Sequence, residues 1–278
     1  MQLCISQATL MSTPFAEDVN ACADSGWKAV EIWLTKLEKH LETASLDSVR
    51  ELFANRGIQA VAAAYQGGLL LSHGESRQAH FEHFRRRLEL CEALKIPTLL
   101  LAADYLPKMD PAAWERALVS LKQAGQWAAG FGVHLALEFR GTDAFCTNLS
   151  TTAQFVEAIQ EPNVGLCLDI FHYYKGPSKF QDLEAIDPRL IRHVQLCDVA
   201  GVLRELMTDS DRILPGDGEF EIQPIVQKLA DTGYTGYLSL ELMNPTLWSM
   251  KPTQVAELGL TALDRIRSSI SHPSTKDS

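Results

Sequence analysis

Apolar positions along this chain fall into two alternating rhythms: short runs that suit a buried strand, and longer stretches with an apolar residue at every third or fourth position. The short runs predict eight strands, at residues 3–7, 29–33, 59–64, 98–102, 134–139, 165–169, 193–197 and 237–242. The longer stretches predict helices at 15–25, 46–56, 77–94, 111–130, 151–159, 222–232 and 253–268, with a weak helical signal between the sixth and seventh strands. Asp110 before Pro111 places a capping carboxylate ahead of a proline suited to a first helical position, and Gly26, Gly57 and Gly233 follow helices where a left-handed residue is wanted. Strand then helix, repeated this regularly, predicts a parallel sheet closed on itself, an α/β single-domain (β/α)8 TIM barrel. No Pro-, Gly- or Ser-rich linker divides the chain, so the barrel is expected over residues 1–270, with polar residues 271–278 as a disordered C-terminal tail.

Side chains in a strand alternate between two faces, and in four neighbouring strands that alternation sorts polar from bulky residues. In the fifth strand His134, Ala136 and Glu138 share one face while Leu135, Leu137 and Phe139 share the other. The sixth sets Gly165, Cys167 and Asp169 against Leu166 and Leu168, and the eighth sets Tyr237, Ser239 and Glu241 against Leu238, Leu240 and Leu242. The seventh places His193 and Gln195 inward. Bulky apolar faces belong against the helices, so Glu138, Asp169, Gln195 and Glu241 should converge inside the C-terminal mouth. Three carboxylates there would repel one another and each would cost several kcal/mol to desolvate unpaired. A divalent cation removes both penalties, and an all-oxygen donor set suits Mn²⁺ first, with Mg²⁺, Co²⁺ or Zn²⁺ as alternatives. His193 has the parity to replace Gln195 but lies one step deeper. The competing reading is a purely structural ion-pair layer, for which Arg140, of the same parity as Glu138, is a cationic partner; one arginine cannot neutralise three carboxylates.

Composition narrows the partners. The 278 residues, 46% hydrophobic and 22% charged, make an ordinary globular chain with a formal net charge of -10, a field that repels a phosphate backbone. Nucleic acid is not expected. Arg85-Arg86-Arg87 is flanked by Glu82 and Glu89 in a helical stretch and reads as a solvated helix face. Six cysteines without paired spacing, no basic leader and no apolar run near the ~20 residues of a membrane span point to a reduced, cytoplasmic protein without a membrane partner. A homo-oligomer is compatible with the sequence.

Flanking the four strand ends, His172 follows Asp169 by three residues and can donate to a bound substrate or relay a proton. Arg212 lies in Asp209-Ser-Asp-Arg-Ile-Leu-Pro-Gly-Asp-Gly-Glu219, a shaped turn, and is a candidate clamp on substrate oxygens, with a surface salt bridge as the equal alternative. Glu31, Trp33, Tyr65 and Trp248 are candidates to line the pocket.

These pieces resemble the xylose-isomerase-like barrel superfamily of sugar and polyol isomerases and epimerases, and within it the inosose (2-keto-myo-inositol) isomerases. The likeness runs over nearly the whole chain and rests on Met1-Gln-Leu-Cys-Ile-Ser-Gln-Ala-Thr9, Ala136-Leu-Glu138-Phe, Val164-Gly-Leu-Cys-Leu-Asp-Ile-Phe-His172, Thr208-Asp-Ser-Asp-Arg-Ile-Leu-Pro-Gly216 and Ser239-Leu-Glu-Leu242. The resemblance implies one metal ion on Glu138, Asp169, Gln195 and Glu241. Gln195 departs from the histidine expected of an inosose enzyme and looks like the residue in hydroxypyruvate-isomerase-like members. The implied chemistry is isomerisation or epimerisation of a sugar, inosose or related α-hydroxy ketone by proton transfer through a metal-stabilised enediolate, with Glu138 and Glu241 as the acid/base pair. The same enolisation can expel a β-hydroxyl, so a dehydratase of the 3-dehydroshikimate type is the main alternative. A silent sugar-binding barrel is a lesser one. DNA-repair endonuclease relatives share the fold but use a histidine-rich multi-metal site, against which an acidic chain with only 8 histidines argues.

Overall fold

A computed structural model describes residues 1–104 and 109–270, so the tail expected beyond residue 270 lies outside the described residues. The eight strands are β1 (Gln2–Ser6), β2 (Ala29–Trp33), β3 (Gln59–Gln66), β4 (Thr98–Ala102), β5 (His134–Glu138), β6 (Val164–Asp169), β7 (Ile191–Leu196) and β8 (Tyr237–Leu240). Each pairs in parallel with the next, and β8 returns to β1 through Gln2↔Tyr237, Leu3↔Leu238, Cys4↔Ser239 and Ile5↔Leu240, closing the barrel. The predicted architecture is the observed one.

The helices are α1 (Phe15–Asp24), α2 (Leu34–His40), α3 (Leu46–Arg56), α4 (Gly74–Leu94), α5 (Pro111–Gly130), α6 (Leu149–Ile159), α7 (Ile170–Lys175), α8 (Phe180–Ala185), α9 (Ile222–Asp231), α10 (Pro245–Trp248) and α11 (Pro252–Ser268). Asp110 caps α5 by accepting from Ala113 N at 2.7 Å, with Pro111 at the first helical position. Gly57 closes α3 at φ 60°, but Lys95 and Gln160 take the same left-handed role after α4 and α6. The weak helical signal between the sixth and seventh strands corresponds to the two short helices α7 and α8.

The outer core fills the space between strands and helices with the leucine faces predicted above, including Leu135, Leu137, Leu166, Leu168, Leu238 and Leu240. Inside the barrel most packing residues are small: Ala62, Ala64, Ala136 and Cys167 cluster with Leu100, and Trp33 packs against them. Small residues there leave room for polar side chains at the mouth. One expectation fails on the outside. Arg85 and Arg86 are exposed as predicted, but Arg87 is buried, donating to both oxygens of Glu38 at 2.7 and 2.9 Å and to Tyr65 O at 2.8 Å. A long stem can lie along apolar surface while the guanidinium finds fixed acceptors, which a charge run in sequence does not reveal. Among the described residues, no helix is long and apolar enough to cross a membrane.

Candidate active site

The registers put the inward residues of β5 to β8 side by side: Glu138 opposes Cys167, Asp169 opposes Gln195, and Gln195 opposes Ser239. Glu241 lies just past β8, where its backbone N–H still bonds Leu196 O at 3.1 Å. Each carboxyl therefore stands at a strand end, held by a ladder rather than by a loop. Glu138 and Glu241 line a cavity of 140 Å³ whose apolar wall is Trp33, Ala64, Tyr65, Ala102 and Met243 and whose polar wall also includes His172, Gln195 and Arg212, while Asp169 is fully buried behind Arg212. A larger cavity of 460 Å³ opens at the opposite end of the barrel, but its one carboxylate, Asp264, is paired with Arg267, and it gathers no comparable chemistry.

Arg212 is 1% exposed and is the cation of the site. Its Nη1 donates to Glu241 Oε2 at 3.0 Å, its Nη2 to Asp169 Oδ2 at 2.8 Å and to Asp209 Oδ1 at 2.7 Å, and its Nε to Asp209 at 3.0 Å. The guanidinium lies over the Phe171 ring at 4.5 Å. Burial disfavours its charge, but Asp169 and its other acidic neighbours win and hold its pKa well above the usual arginine value. The segment presenting it is folded back onto β7: Asp198 and Ile213 exchange backbone bonds of 2.9 and 2.8 Å, and the buried Asp198 carboxylate accepts from Val199, Gly216 and Phe220 N. Asp209, three residues before Arg212, was not singled out in the sequence; the local signal is its position in a short 3-10 turn, Asp209–Asp211.

Beneath the mouth Glu31, fully buried, is a hub. It accepts from His193 Nε2 at 2.7 Å, from Ser6 Oγ at 2.9 Å and from Gln195 Nε2 at 3.0 Å. Burial alone would raise its pKa, but His193 and the hydroxyl donors outweigh that and hold it below the usual carboxylate range. Glu241 goes the other way: burial first, then the charges of Glu31, Asp169 and Glu138, push it well above that range despite Arg212. Gln195 bridges the two, its Nε2 also donating to Glu241 Oε1 at 3.0 Å while its Oε1 accepts from Cys167 Sγ at 3.2 Å. The amide thus shows nitrogen, not oxygen, to the carboxylates; oxygen ligation from Gln195 requires the amide turned over. His193 is committed to Glu31.

His172 is buried at the start of α7, where Asp169 caps the helix by accepting from Phe171 N at 2.7 Å. Its Nε2 lies 3.4 Å from Glu138 Oε1 and 3.9 Å from Asp169 Oδ2, while its buried Nδ1 has no hydrogen-bond partner among the described residues. Burial disfavours the charged imidazole, but Asp169 and Glu138 more than compensate and raise its pKa. Among the described residues, Glu138, Asp169 and His172 form the one group of three His, Cys, Asp or Glu side chains whose ligand atoms all come within 4.8 Å of one another. An oxygen-rich set with one nitrogen and an orphaned buried imidazole atom fits a divalent ion. Of the expected lining residues, Trp33 and Tyr65 are in the cavity wall; Glu31 lies below it, and the Trp248 indole N–H is used on Ala8 O at 2.9 Å. Arg140 pairs with Asp143 at 3.5 Å rather than with Glu138.

The sequence profile of the Xylose isomerase-like TIM barrel family matches residues 19–266. The chain belongs to this family. It is 29% identical over 261 residues to the inosose isomerase of Halalkalibacterium halodurans, covering 90% of each protein. It is 26% identical over 269 residues to the 3-dehydroshikimate dehydratase of Pseudomonas putida, covering 95% of this chain and 41% of that longer protein. Among solved structures, the IolI protein crystallised with a zinc atom superposes with a TM-score of 0.92 at 22% identity, covering 98% of this chain and all of that one.

Proposed function

We propose that this protein is a divalent-metal-dependent isomerase or epimerase of a sugar, inosose or related α-hydroxy ketone. One observation carries the reading: Glu138 and Glu241 line one small cavity, Glu138 beside His172 and Glu241 on Arg212, which also holds Asp169. The matching inosose isomerases support the substrate class.

Glu138, Asp169 and Glu241 would hold the ion, with His172 near it and Gln195 as a fourth donor if its amide turns; Mn²⁺ is the ion we favour, on the hardness of the oxygens. Bound there, a divalent ion would supply Lewis acidity toward the ketone and hydroxyl oxygens. The chain's own residues do the rest. One of the two glutamates takes the proton from the hydroxyl-bearing carbon, and the electron pair of that C–H bond moves toward the carbonyl oxygen. A proton delivered to the former carbonyl carbon completes isomerisation, and one delivered to the opposite face of the original carbon completes epimerisation. The proton between the two substrate oxygens is within reach of His172, whose Nε2 lies beside Glu138. Arg212 fixes Asp169 and Glu241 while this happens. The apolar wall of Trp33, Tyr65 and Met243 limits water.

The test is solvent deuterium exchange into inososes, ketoses and hydroxypyruvate with Mn²⁺ added, comparing wild type with Glu241→Gln. Exchange in wild type, reduced at least 10²-fold in the variant, is expected. Folded, metal-loaded wild type that exchanges no proton with any of them would overturn the proposal. Dehydration is the second reading, supported by the match to 3-dehydroshikimate dehydratase across 95% of this chain; loss of one water from the product, by mass, would select it.

A further inference from the structure

Two arginines line the cavity, and they are in opposite states. Arg212 spends its donors on three carboxylates. Arg140, just past β5, makes no side-chain hydrogen bond among the described residues. Its Nε is shielded from solvent and makes no hydrogen bond; its ion pair is with Asp143 Oδ2, 3.5 Å from that Nε. The side chain is 38% exposed and contributes to the cavity lining.

The loop that presents Arg140 is built to stay in place. Arg140 N donates to Cys146 O at 2.8 Å, Asp143 N donates back to Arg140 O at 3.0 Å, and Cys146 sits at a positive φ of 52°. Gly141 packs backbone to backbone against Gly176 at the end of α7, so closely that a Cβ on it would lie 2.3 Å from Gly176 N. A guanidinium held on such a loop, with both Nη groups unused, matches a carboxylate in two parallel hydrogen bonds. The wall of Trp33, Ala64, Ala102 and Met243 is uncharged, and the carboxylates of the same cavity, Glu138, Asp209 and Glu241, are engaged by His172 and Arg212 rather than hydrogen-bonded to Arg140.

We infer that Arg140 anchors an anionic group of the substrate, and that this group is a carboxylate, so that the protein takes an α-hydroxy ketone acid in preference to a neutral polyol ketone. The inference rests on the enolising reading above and deepens it by naming the substrate class. Binding measured by calorimetry separates the two, because it needs no turnover, whereas the exchange experiment with Glu241→Gln does not involve Arg140.

The probes are 3-dehydroshikimate, its neutral methyl ester, hydroxypyruvate, a phosphorylated ketose and an inosose, titrated into the Mn²⁺-loaded protein. Wild type is expected to bind the acid about 10- to 100-fold more tightly than the ester, the factor for one charge-assisted contact. In Arg140→Gln that ratio should collapse toward one, and in Arg140→Lys, which keeps charge without the fork, it should be intermediate. An acid-to-ester ratio of one in wild type overturns the assignment without any variant, whereas a ratio above one is traced to Arg140 by its collapse in folded Arg140→Gln, because Mn²⁺ also attracts a carboxylate. An ester bound as tightly as the acid, an inosose bound more tightly than either acid, or an acid-to-ester ratio unchanged in a folded Arg140→Gln overturns the assignment. A phosphorylated ketose that outcompetes both acids overturns the carboxylate and leaves phosphate as the anion.

Discussion

Replacing Arg212 with methionine keeps an unbranched apolar stem but removes the guanidinium and its charge. The substitution deletes four hydrogen bonds of 2.7 to 3.0 Å to Asp209, Glu241 and Asp169 and leaves the latter two, 6% and 0% exposed, facing each other without a cation. Each charge-assisted bond is worth about 1.5–3 kcal/mol when a partner is left stranded, but the four share one group and do not add. Breaking a buried pair by removing one member costs about 3–5 kcal/mol, and that is the expected loss in chelator. At about 2 °C per kcal/mol for a chain of this size, the melting temperature should fall by roughly 6–10 °C.

Two further signatures belong to the same argument. Without Arg212, the main influence that lowers the Glu241 pKa is gone, so Glu241 rises further and the deficit shrinks as pH falls and grows as pH rises. A divalent ion should also stabilise the variant more than wild type, because it replaces the missing charge; at a concentration of about 100 times Kd the gain is about 2.7 kcal/mol. The assay is thermal and urea unfolding of both proteins, in chelator and with Mn²⁺. A loss below about 1 kcal/mol in chelator, or equal metal-induced gains in the two proteins, would show that Arg212 does not carry the charge balance of the site.

Two other outcomes follow from parts of the molecule outside the carboxylate cluster. Asp18 is buried, and burial raises its pKa from 3.8 to about 6 even though Lys36 pairs with it. Its folded pKa exceeds its unfolded value, so its contribution is fully present below the unfolded pKa and lost as pH rises through about 6. The stability of wild type relative to Asp18→Asn should therefore fall by up to about 3 kcal/mol between pH 4 and 7, read by urea titration at each pH; a flat difference would refute it. Gly141→Ala pushes a methyl group into Gly176 N and to 2.9 Å from His172 O, backbone that cannot rotate away. We expect about 1–3 kcal/mol of destabilisation in denaturant unfolding, and an unchanged midpoint would mean that the loop moves freely.

The barrel was readable because its period-two and period-3.6 stretches alternate without interruption, and because the strand faces segregate so cleanly. Residues 46–56 and 111–130 are helices at the predicted limits, and the strand limits differ by at most two residues at either end. What escaped was local. α2 begins directly at the end of β2, and its seven residues are too few for a periodic signal. α7 is short as well, and its start is set by the Asp169 side chain accepting from Phe171 N, a contact that no hydrophobic pattern encodes. Arg87 and Glu38 meet through tertiary packing between helices far apart in sequence.

The site was legible in the same measure. Parity says which side chains enter the barrel, and β5 and β7 carry Glu138 and Gln195 to one cavity with Glu241 one residue past β8, while Asp169 of β6 is reached through Arg212. Parity says nothing about which cation a loop brings back over the mouth. The charge argument made from sequence used Arg140 as the partner, whereas the fold pairs Arg140 with Asp143 and delivers Arg212 to Asp169, Glu241 and Asp209 through the Asp198–Ile213 bridge. The arithmetic nevertheless survives the change of arginine. Glu31 has His193, and Glu138 shares His172 with Asp169. One guanidinium is then left for Asp169, Asp209 and Glu241, and the pKa of Glu241 is raised, by burial first and then by the charges of Glu31, Asp169 and Glu138. A buried site short of positive charge, made of oxygen donors on rigid strand ends, is what a divalent cation would complete.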